Sequence, residues 1–332
     1  MSTIYYILGF GLTLFTLVDL IWTTLWVDGG AGPLSKRLAR YTWKGTEQLT
    51  RKTNNILTLV GPIILVVTLL SWVLFLWVGI TLIYSGDPAS IIDIRSGGPI
   101  IWYERVYFTG YTLFTLGIGD YSPQPGFWQM ITAATSGMGI LFLTLGASYV
   151  INVVNAVVKK RSFARSITGL GMTSEEIARS AWDGKDFHQL DLVLMNASSD
   201  ISELTQQHQA YPLLHYYHSR NPEEASAIGV AVLDDLLSLL HFGLKDKGAV
   251  NVILVQATRS SIETYLDTLT SVFIHSSEKE PNRPSIKRLD DSGIPFVSED
   301  VFQRELDAVI KRRMQLLGAV NSDNHDWPKA EV

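Results

Sequence analysis

Long apolar runs dominate the first half of the chain. Residues 3–27 (TIYYILGFGLTLFTLVDLIWTTLWV) contain a single charge. As a helix at ~1.5 Å per residue they cover ~37 Å, against a hydrocarbon core of ~30 Å. The run has no basic leader and no small-residue cleavage site, and it is too long for the apolar region of a signal peptide, so it reads as a span. Residues 56–84 and 127–158 predict a second and a third span, each long enough to tilt. Trp22, Trp26, Trp72 and Trp77 lie near ends or faces of these runs, where interfacial tryptophans collect. Residues 101–114 are apolar in a different way. As a helix they reach only ~21 Å, too short to cross. They are too apolar for a free loop, and the pattern predicts a re-entrant half-helix. Thr115-Leu116-Gly117-Ile118-Gly119 then follows as non-helical backbone at membrane depth, which is viable only where protein buries it or where it lines a watery path.

The second half alternates polar and apolar positions at helical spacing. Gly169 and Gly171 mark residues 162–172 as a linker. Thr173-Ser-Glu-Glu176 predicts a capping box. Helices follow over 186–209, broken by Tyr211-Pro212, and from Asn221-Pro222 to about Leu244. Two more cover 250–274 and 299–318. Residues 276–297, with Pro281, Pro284 and Pro295, read as a loop, and the tail after Asn321 as frayed. The expected organisation is 1–55, a first span and basic loop or interfacial helix; 56–161, a pore domain; and 162–332, a helical cytoplasmic domain.

Charge divides the 332 residues in the same place. Residues 1–161 carry 11 Lys/Arg against 7 Asp/Glu, a net of +4. Residues 162–332 carry 16 against 25, a net of −9. An acidic second half argues against nucleic acid as a partner. The absence of cysteine excludes disulfides, thiol catalysis and thiolate zinc sites. Lys36, Arg37, Arg40, Lys44, Arg51 and Lys52 in the 28–54 loop, and Lys159-Lys160-Arg161 after the third span, put both places on the cytoplasmic side. Segment 85–101 has one basic residue, Arg95, and faces outward. The N-terminus is then outside and the C-terminal domain inside. Within the basic loop, Leu34, Leu38 and Tyr41 recur at helical spacing after Pro33. They predict either a helix lying on the inner leaflet or an ordinary basic loop.

The residues from Tyr107 to Pro123 carry the chemistry. Tyr107, Phe108, Thr112, Thr115, Gly117, Gly119, Asp120 and Pro123 fall in the pattern of an aromatic half-helix followed by Thr-x-Gly-x-Gly-Asp. With its flanking spans, residues 56–158 resemble the potassium-channel family. The resemblance implies an all-α membrane protein with a tetrameric potassium-channel-like pore of outer helix, pore helix, filter and inner helix. Here that pore is extended by one N-terminal transmembrane helix and a mostly α-helical cytoplasmic domain. K⁺ is the implied permeant ion, in a plasma membrane. The carbonyls of Thr115, Leu116, Gly117 and Ile118 are the implied ion ligands, in a strand running to Gly119, with the Thr115 hydroxyl completing the innermost site. All these carbonyls must point one way, which needs alternating backbone conformations that glycine adopts freely. Asp120, Tyr111 and Thr112 are the implied supports, with Asp120 bracing the filter from behind. One pore segment per chain implies a homotetramer in contact with lipid.

Two positions depart from the family pattern. Ile118 replaces an aromatic residue with a polar tip, and Phe114 stands where a second Thr is common. They open the alternative of a weakly selective cation channel. A non-conducting membrane scaffold with a helical interaction domain is the reading from another class. Gly139, 22 residues after Gly117, reads as a gating hinge or as a packing glycine, and Gly137 and Gly146 as packing glycines. Asp19 lies inside the first span and is expected to pair with Arg37 or Arg40. No span repeats Arg or Lys at every third position, so no voltage sensor is expected.

The cytoplasmic half has no nucleophile–base constellation, and no enzyme is expected. Neither a nucleotide-binding α/β regulator nor a cyclic-nucleotide domain is visible in its pattern. The stretch His208–Asp235 resembles helical domains of bacterial two-span channel-like proteins, which implies no ligand. His215 and His218 are three apart, the spacing of a weak metal site or of hydrogen-bonded interface histidines. Asp234 and Asp235 read as a solvated face. An unknown cytoplasmic ligand or protein regulator is the expected partner of this domain.

Overall fold

The computed structural model describes residues 2–27, 30–50, 57–272 and 274–329. Arg51 and Lys52 of the basic loop lie outside them. The chain forms two units: Met1–Gln48 with Pro62–Val153, and Leu49–Gly61 with Val154–Val332. The first helix therefore groups with residues 62–153, and the second unit takes in residues 49–61 together with everything from residue 154 on.

In the first unit, α1 (Ser2–Leu25) is the predicted first span and α2 (Pro33–Thr50) starts at the proline that fixes its first turn. The second span is α3 (Leu57–Ser85), and the half-helix is α4 (Trp102–Leu113). At ~18 Å, α4 is too short to cross. Glu104 caps its start by accepting from the Ile101 N–H at 2.9 Å. The third span is α5 (Phe127–Thr168). Two short strands, β1 (Ile91–Asp93) and β2 (Tyr121–Pro123), pair antiparallel with Ile92 opposite Ser122. The apolar pattern does not announce them.

Asp19 is corrected. It pairs with neither Arg37 nor Arg40. Its carboxylate accepts from the Leu34 N–H at 2.7 Å, the Ser35 hydroxyl at 2.6 Å and the Trp72 indole N–H at 2.8 Å. It satisfies the free N–H groups that open α2, where a negative charge also meets the positive end of the helix.

The second unit is all helical around one apolar core. The end of α5 continues into it. Phe163, Ala164 and Ile167 are buried, so the expected linker 162–172 is helix as far as Thr168. Then come α6 (Ser174–Ala181), α7 (Asp191–Ala210), α8 (Ser226–Ser238), α9 (Val252–Val272), α10 (Glu299–Glu305) and α11 (Ile310–Ser322). The Thr173 hydroxyl caps α6 by accepting from Glu176 N–H at 3.3 Å, as predicted. Glu176 itself reaches one residue further back, to Met172 N–H at 2.8 Å. Asn221-Pro222 opens a 3-10 turn (Pro222–Glu224), and the α-helix begins only at Ser226. Helices α7 and α9 pair along their lengths.

Among the described residues, four helices are long and apolar enough to cross a membrane. Three are the predicted spans, with 22–39% of their apolar windows buried. The fourth, Ser226–Gly243, is 89% buried within the second unit. A helix sheathed by protein on all sides needs no lipid, so it is a core helix.

Candidate functional site

The half-helix is fixed by its partners. Phe108 and Tyr111 pack edge-on at 5.3 Å between ring centres, in a cluster with Leu76, Ile80 and Tyr84 of α3. The Trp77 indole N–H donates to the Val106 carbonyl at 2.8 Å. Arg105, on the buried side of α4, donates to the Tyr84 carbonyl at 2.7 Å, the Ser90 hydroxyl at 2.9 Å and the Pro88 carbonyl at 3.0 Å. A guanidinium there satisfies the last carbonyls of α3 and meets the negative end of that helix. Sequence reasoning misses Arg105. The signal it offers is one basic residue inside an apolar half-helix.

The other end of α4 turns into the expected filter. Thr115 N–H donates to the Thr112 carbonyl at 3.0 Å, and Leu116 N–H to the Tyr111 carbonyl at 2.8 Å. These are the two bonds of a Schellman motif, whose left-handed position is normally glycine. Here it is Thr115, at φ +58°. A β-branched residue in this region is a conformational outlier, at a cost of ~1–2 kcal/mol. Gly117 and Gly119 follow at φ +56° and +90°, so positive φ recurs at every second residue. Residues 114–119 are exposed along this chain. Among the described residues, the N–H groups of Gly117, Ile118 and Gly119 have no hydrogen-bond partner.

The supports differ in part from expectation. Tyr111 is buried, and its hydroxyl donates to the Tyr121 carbonyl at 2.7 Å, tying the half-helix to the chain just past the filter. The Thr112 carbonyl accepts from the Ser136 hydroxyl of α5 at 3.2 Å. Asp120 does not brace the filter from behind. Its carboxylate pairs with Arg95 at 3.3 Å, in the segment between α3 and α4. Arg95 also donates to the Tyr121 hydroxyl at 2.6 Å, and that hydroxyl donates to Glu104 at 2.9 Å. The β1–β2 pairing holds Arg95 beside Asp120, and it explains why Asp120 turns to that guanidinium. Ile118 is half-exposed and supplies no polar anchor, and Phe114 packs edge-on against Trp77 at 6.0 Å between centres.

Gly139 lies in unbroken helix, and a Cβ there would run into the Leu113 carbonyl at the end of α4. It is a close-packing glycine that seats the half-helix on α5, not a visible hinge. Gly146 packs more loosely, since a Cβ there would meet Leu69 at an ordinary 3.5 Å, while a Cβ on Gly137 would have no neighbour within 4 Å in this chain. An apolar cavity of about 90 Å³ is lined by Thr115 together with Phe114, Ile140 and Leu143.

In the second unit, the histidine pair follows its hydrogen-bonded alternative at His218. His215 and His218 have ring centres 6.3 Å apart, and His218 Nδ1–H donates to the buried Asp323 carboxylate at 3.0 Å. Among the described residues no group of three or more His, Asp or Glu is arranged to hold a metal ion. Burial pushes His215 down to about 3 and His208 to about 4, with the buried Lys160 ammonium adding to both. Asp323 is pulled below the usual carboxylate range despite its burial, because Lys160 and His218 stand beside it. Asp234 and Asp235 are not a solvated face. Both are buried, Asp234 facing Arg312 at 3.0 Å and Asp235 in contact with Arg313.

No protein-family model matches the chain, and no solved structure does. The sequence is 41% identical to the uncharacterized membrane protein YdjJ of Bacillus subtilis (strain 168) over 327 residues, 98% of this chain and 96% of that protein. With three apolar spans that leave most of their surface uncovered by the rest of the chain, and with identity running through both units, the chain belongs to the family of that membrane protein and is itself a multi-pass membrane protein.

Proposed function

We propose that this chain is one subunit of a homotetrameric, potassium-selective channel. The observation that carries the reading is the backbone of Thr115–Gly119. Positive φ at Thr115, Gly117 and Gly119 alternates with negative φ at Leu116 and Ile118. Residues of alternating hand turn successive peptide planes the same way, which aligns their carbonyls in one row. The row is exposed, and its N–H groups from Gly117 to Gly119 are unpaired in one chain. Backbone in this condition at membrane depth must line a protein-walled aqueous path. Four such rows around an axis would replace the hydration shell of K⁺ with oxygen. The C-terminal end of α4 adds a partial negative charge of ~0.5 per subunit toward the ion path.

The surface of α5 supports assembly. Only 22% of its apolar window is covered within the chain, with Ile140, Leu143 and Ile151 exposed. Lipid and three further copies are the natural cover. The exposed Lys36, Arg37 and Arg40 on α2 favour a cytoplasmic placement of that helix against a plasma membrane, with the N-terminus outside.

A second reading, a weakly selective cation channel, draws on Ile118, which supplies no hydrogen bond behind the filter. Flux into proteoliposomes, with K⁺ and Na⁺ in competition, separates the two. The expected result is K⁺-selective flux that Gly117→Ala abolishes, since a Cβ is strained at φ +56° whatever the space around it. Equal passage of Na⁺ replaces the first reading by the second. Failure to pass either ion under every condition overturns both and favours a non-conducting scaffold.

A further inference from the structure

The helical unit contains a polar cavity of about 440 Å³, within the range of small-molecule sites. Its walls come from distant parts of the sequence: Ser174 and Glu175 at the start of α6, Asp235 of α8, the proline-rich loop around Pro284 and Arg288, and Trp327–Lys329 of the tail.

The lining of this cavity carries charge of both signs. Glu175 and Asp235 are both buried. Glu175 accepts from the Ser174 hydroxyl at 2.9 Å, from Ser285 N–H at 3.1 Å and from Arg288 at 3.3 Å. A carboxylate has about four acceptor positions, so capacity remains. Asp235 is in contact with the fully buried Arg313. Even so, burial, with Asp234 and Glu175 nearby, pushes Asp235 up to about 7. The same lining carries basic groups. Arg283 is committed to Glu280 and Asp307 at 2.7 Å each. Arg288 spends one nitrogen on Glu175 and keeps its side chain 55% exposed. Lys329 has no ion pair or hydrogen bond among the described residues. Trp327, Pro284 and Val232 add apolar surface to the lining.

We propose that this cavity binds a zwitterionic small molecule of the free α-amino-acid class with an apolar side chain. Its ammonium meets Glu175 and Asp235, its carboxylate meets Lys329 and Arg288, and its side chain lies against Trp327 and Pro284. A simple anion would leave the spare acceptor positions of Glu175 unused, and a simple amine would leave Lys329 unused.

The inference does not rest on ion conduction, and its test reads binding alone. Full-length protein in detergent is titrated calorimetrically with L-valine, L-leucine and L-phenylalanine. The two single-ended analogues of the last, 2-phenylethylamine and 3-phenylpropionate, are titrated alongside. At least one amino acid is expected to bind, and each analogue to bind about tenfold more weakly or worse than L-phenylalanine, the worth of one charge-assisted contact. Lys329→Ala, at an exposed tail position, is expected to weaken amino-acid binding about tenfold without moving the ligand-free melting temperature. Asp235→Asn is expected to abolish binding, and the Lys329 variant keeps the test decisive if that protein does not fold. No binding by any of the three amino acids overturns the proposal. Equal binding of 3-phenylpropionate, or of 2-phenylethylamine, overturns it in favour of a site for one charge only.

Discussion

Replacing Asp19 by alanine tests how the first span is held. The carboxylate is fully buried, and three strong donors converge on it from two other elements: Leu34 N–H at 2.7 Å, the Ser35 hydroxyl at 2.6 Å and the Trp72 indole at 2.8 Å. After truncation the Ser35 hydroxyl can turn to Thr23, whose oxygen lies 3.2 Å away. Leu34 N–H and the indole of the fully buried Trp72 have no such recourse. An orphaned buried donor costs ~1–3 kcal/mol, and relief from burying the charge offsets part of the loss, so the net destabilisation is about 3 kcal/mol. At ~2–4 °C per kcal/mol, the apparent melting temperature in detergent falls by about 10 °C. Asp19→Asn keeps one acceptor and falls by less. Trp72→Phe combined with Asp19→Ala costs less than the two separately, since they share one bond. Arg37→Ala and Arg40→Ala leave melting unchanged. A melting temperature for Asp19→Ala within about 2 °C of wild type would refute the capping role. A fall reproduced by either arginine variant would restore an ion pair that the structure does not contain.

Gly139→Ala is expected to push the end of α4 away from α5, because its Cβ meets the Leu113 carbonyl. Overpacking of this kind costs ~1–3 kcal/mol, and in the proposed channel it removes K⁺ flux in proteoliposomes, whereas Gly137→Ala, with open space, keeps it. Acid weakens the helical unit. His208 and His215 are neutral in the fold down to about 4 and 3, while unfolded histidines protonate near 6.5, so stability present above pH 6.5 is lost as pH falls toward 4. Asp235 works the other way, since its raised value favours the protonated fold and adds stability as pH falls from about 7. Two histidines against one carboxylate leave a net loss on the order of 3 kcal/mol between pH 6.5 and 4, read by denaturant unfolding at each pH, and His215→Gln is expected to remove part of it.

What was legible in the sequence is what local pattern encodes. Apolar length gave the three spans, and the short apolar run before Thr115 gave the half-helix. Proline at 33 and Thr173 gave two helix starts. What escaped depends on partners distant in sequence. Asp234-Asp235 reads as solvated because Arg312-Arg313, which buries it, lies more than seventy residues away. The basic Lys159-Lys160-Arg161 reads as the end of a helix, yet Lys160 is buried and donates to the Tyr217 carbonyl at 3.0 Å, and the helix runs on to Thr168. The pairing of Asp120 with Arg95 follows from a three-residue strand pair that no periodicity signals.

Thr115 is where local rules and the proposed function meet. As a helix terminator the position asks for glycine, and glycine would close the same Schellman bonds without strain. The chain holds a β-branched residue there, at φ +58°, in a row that one chain by itself leaves exposed. Strain that packing does not explain points to function. Threonine differs from glycine at this point by a methyl and a hydroxyl, at a residue that shares an apolar cavity with Phe114 and Ile140. A hydroxyl oxygen there extends the row by one ligand toward the inner side. Valine has the same branching and nearly the same volume but no such oxygen. In the proposed channel, therefore, the strain at Thr115 is borne for one oxygen atom, and the half-helix, its terminator and the innermost ion site are a single piece of backbone.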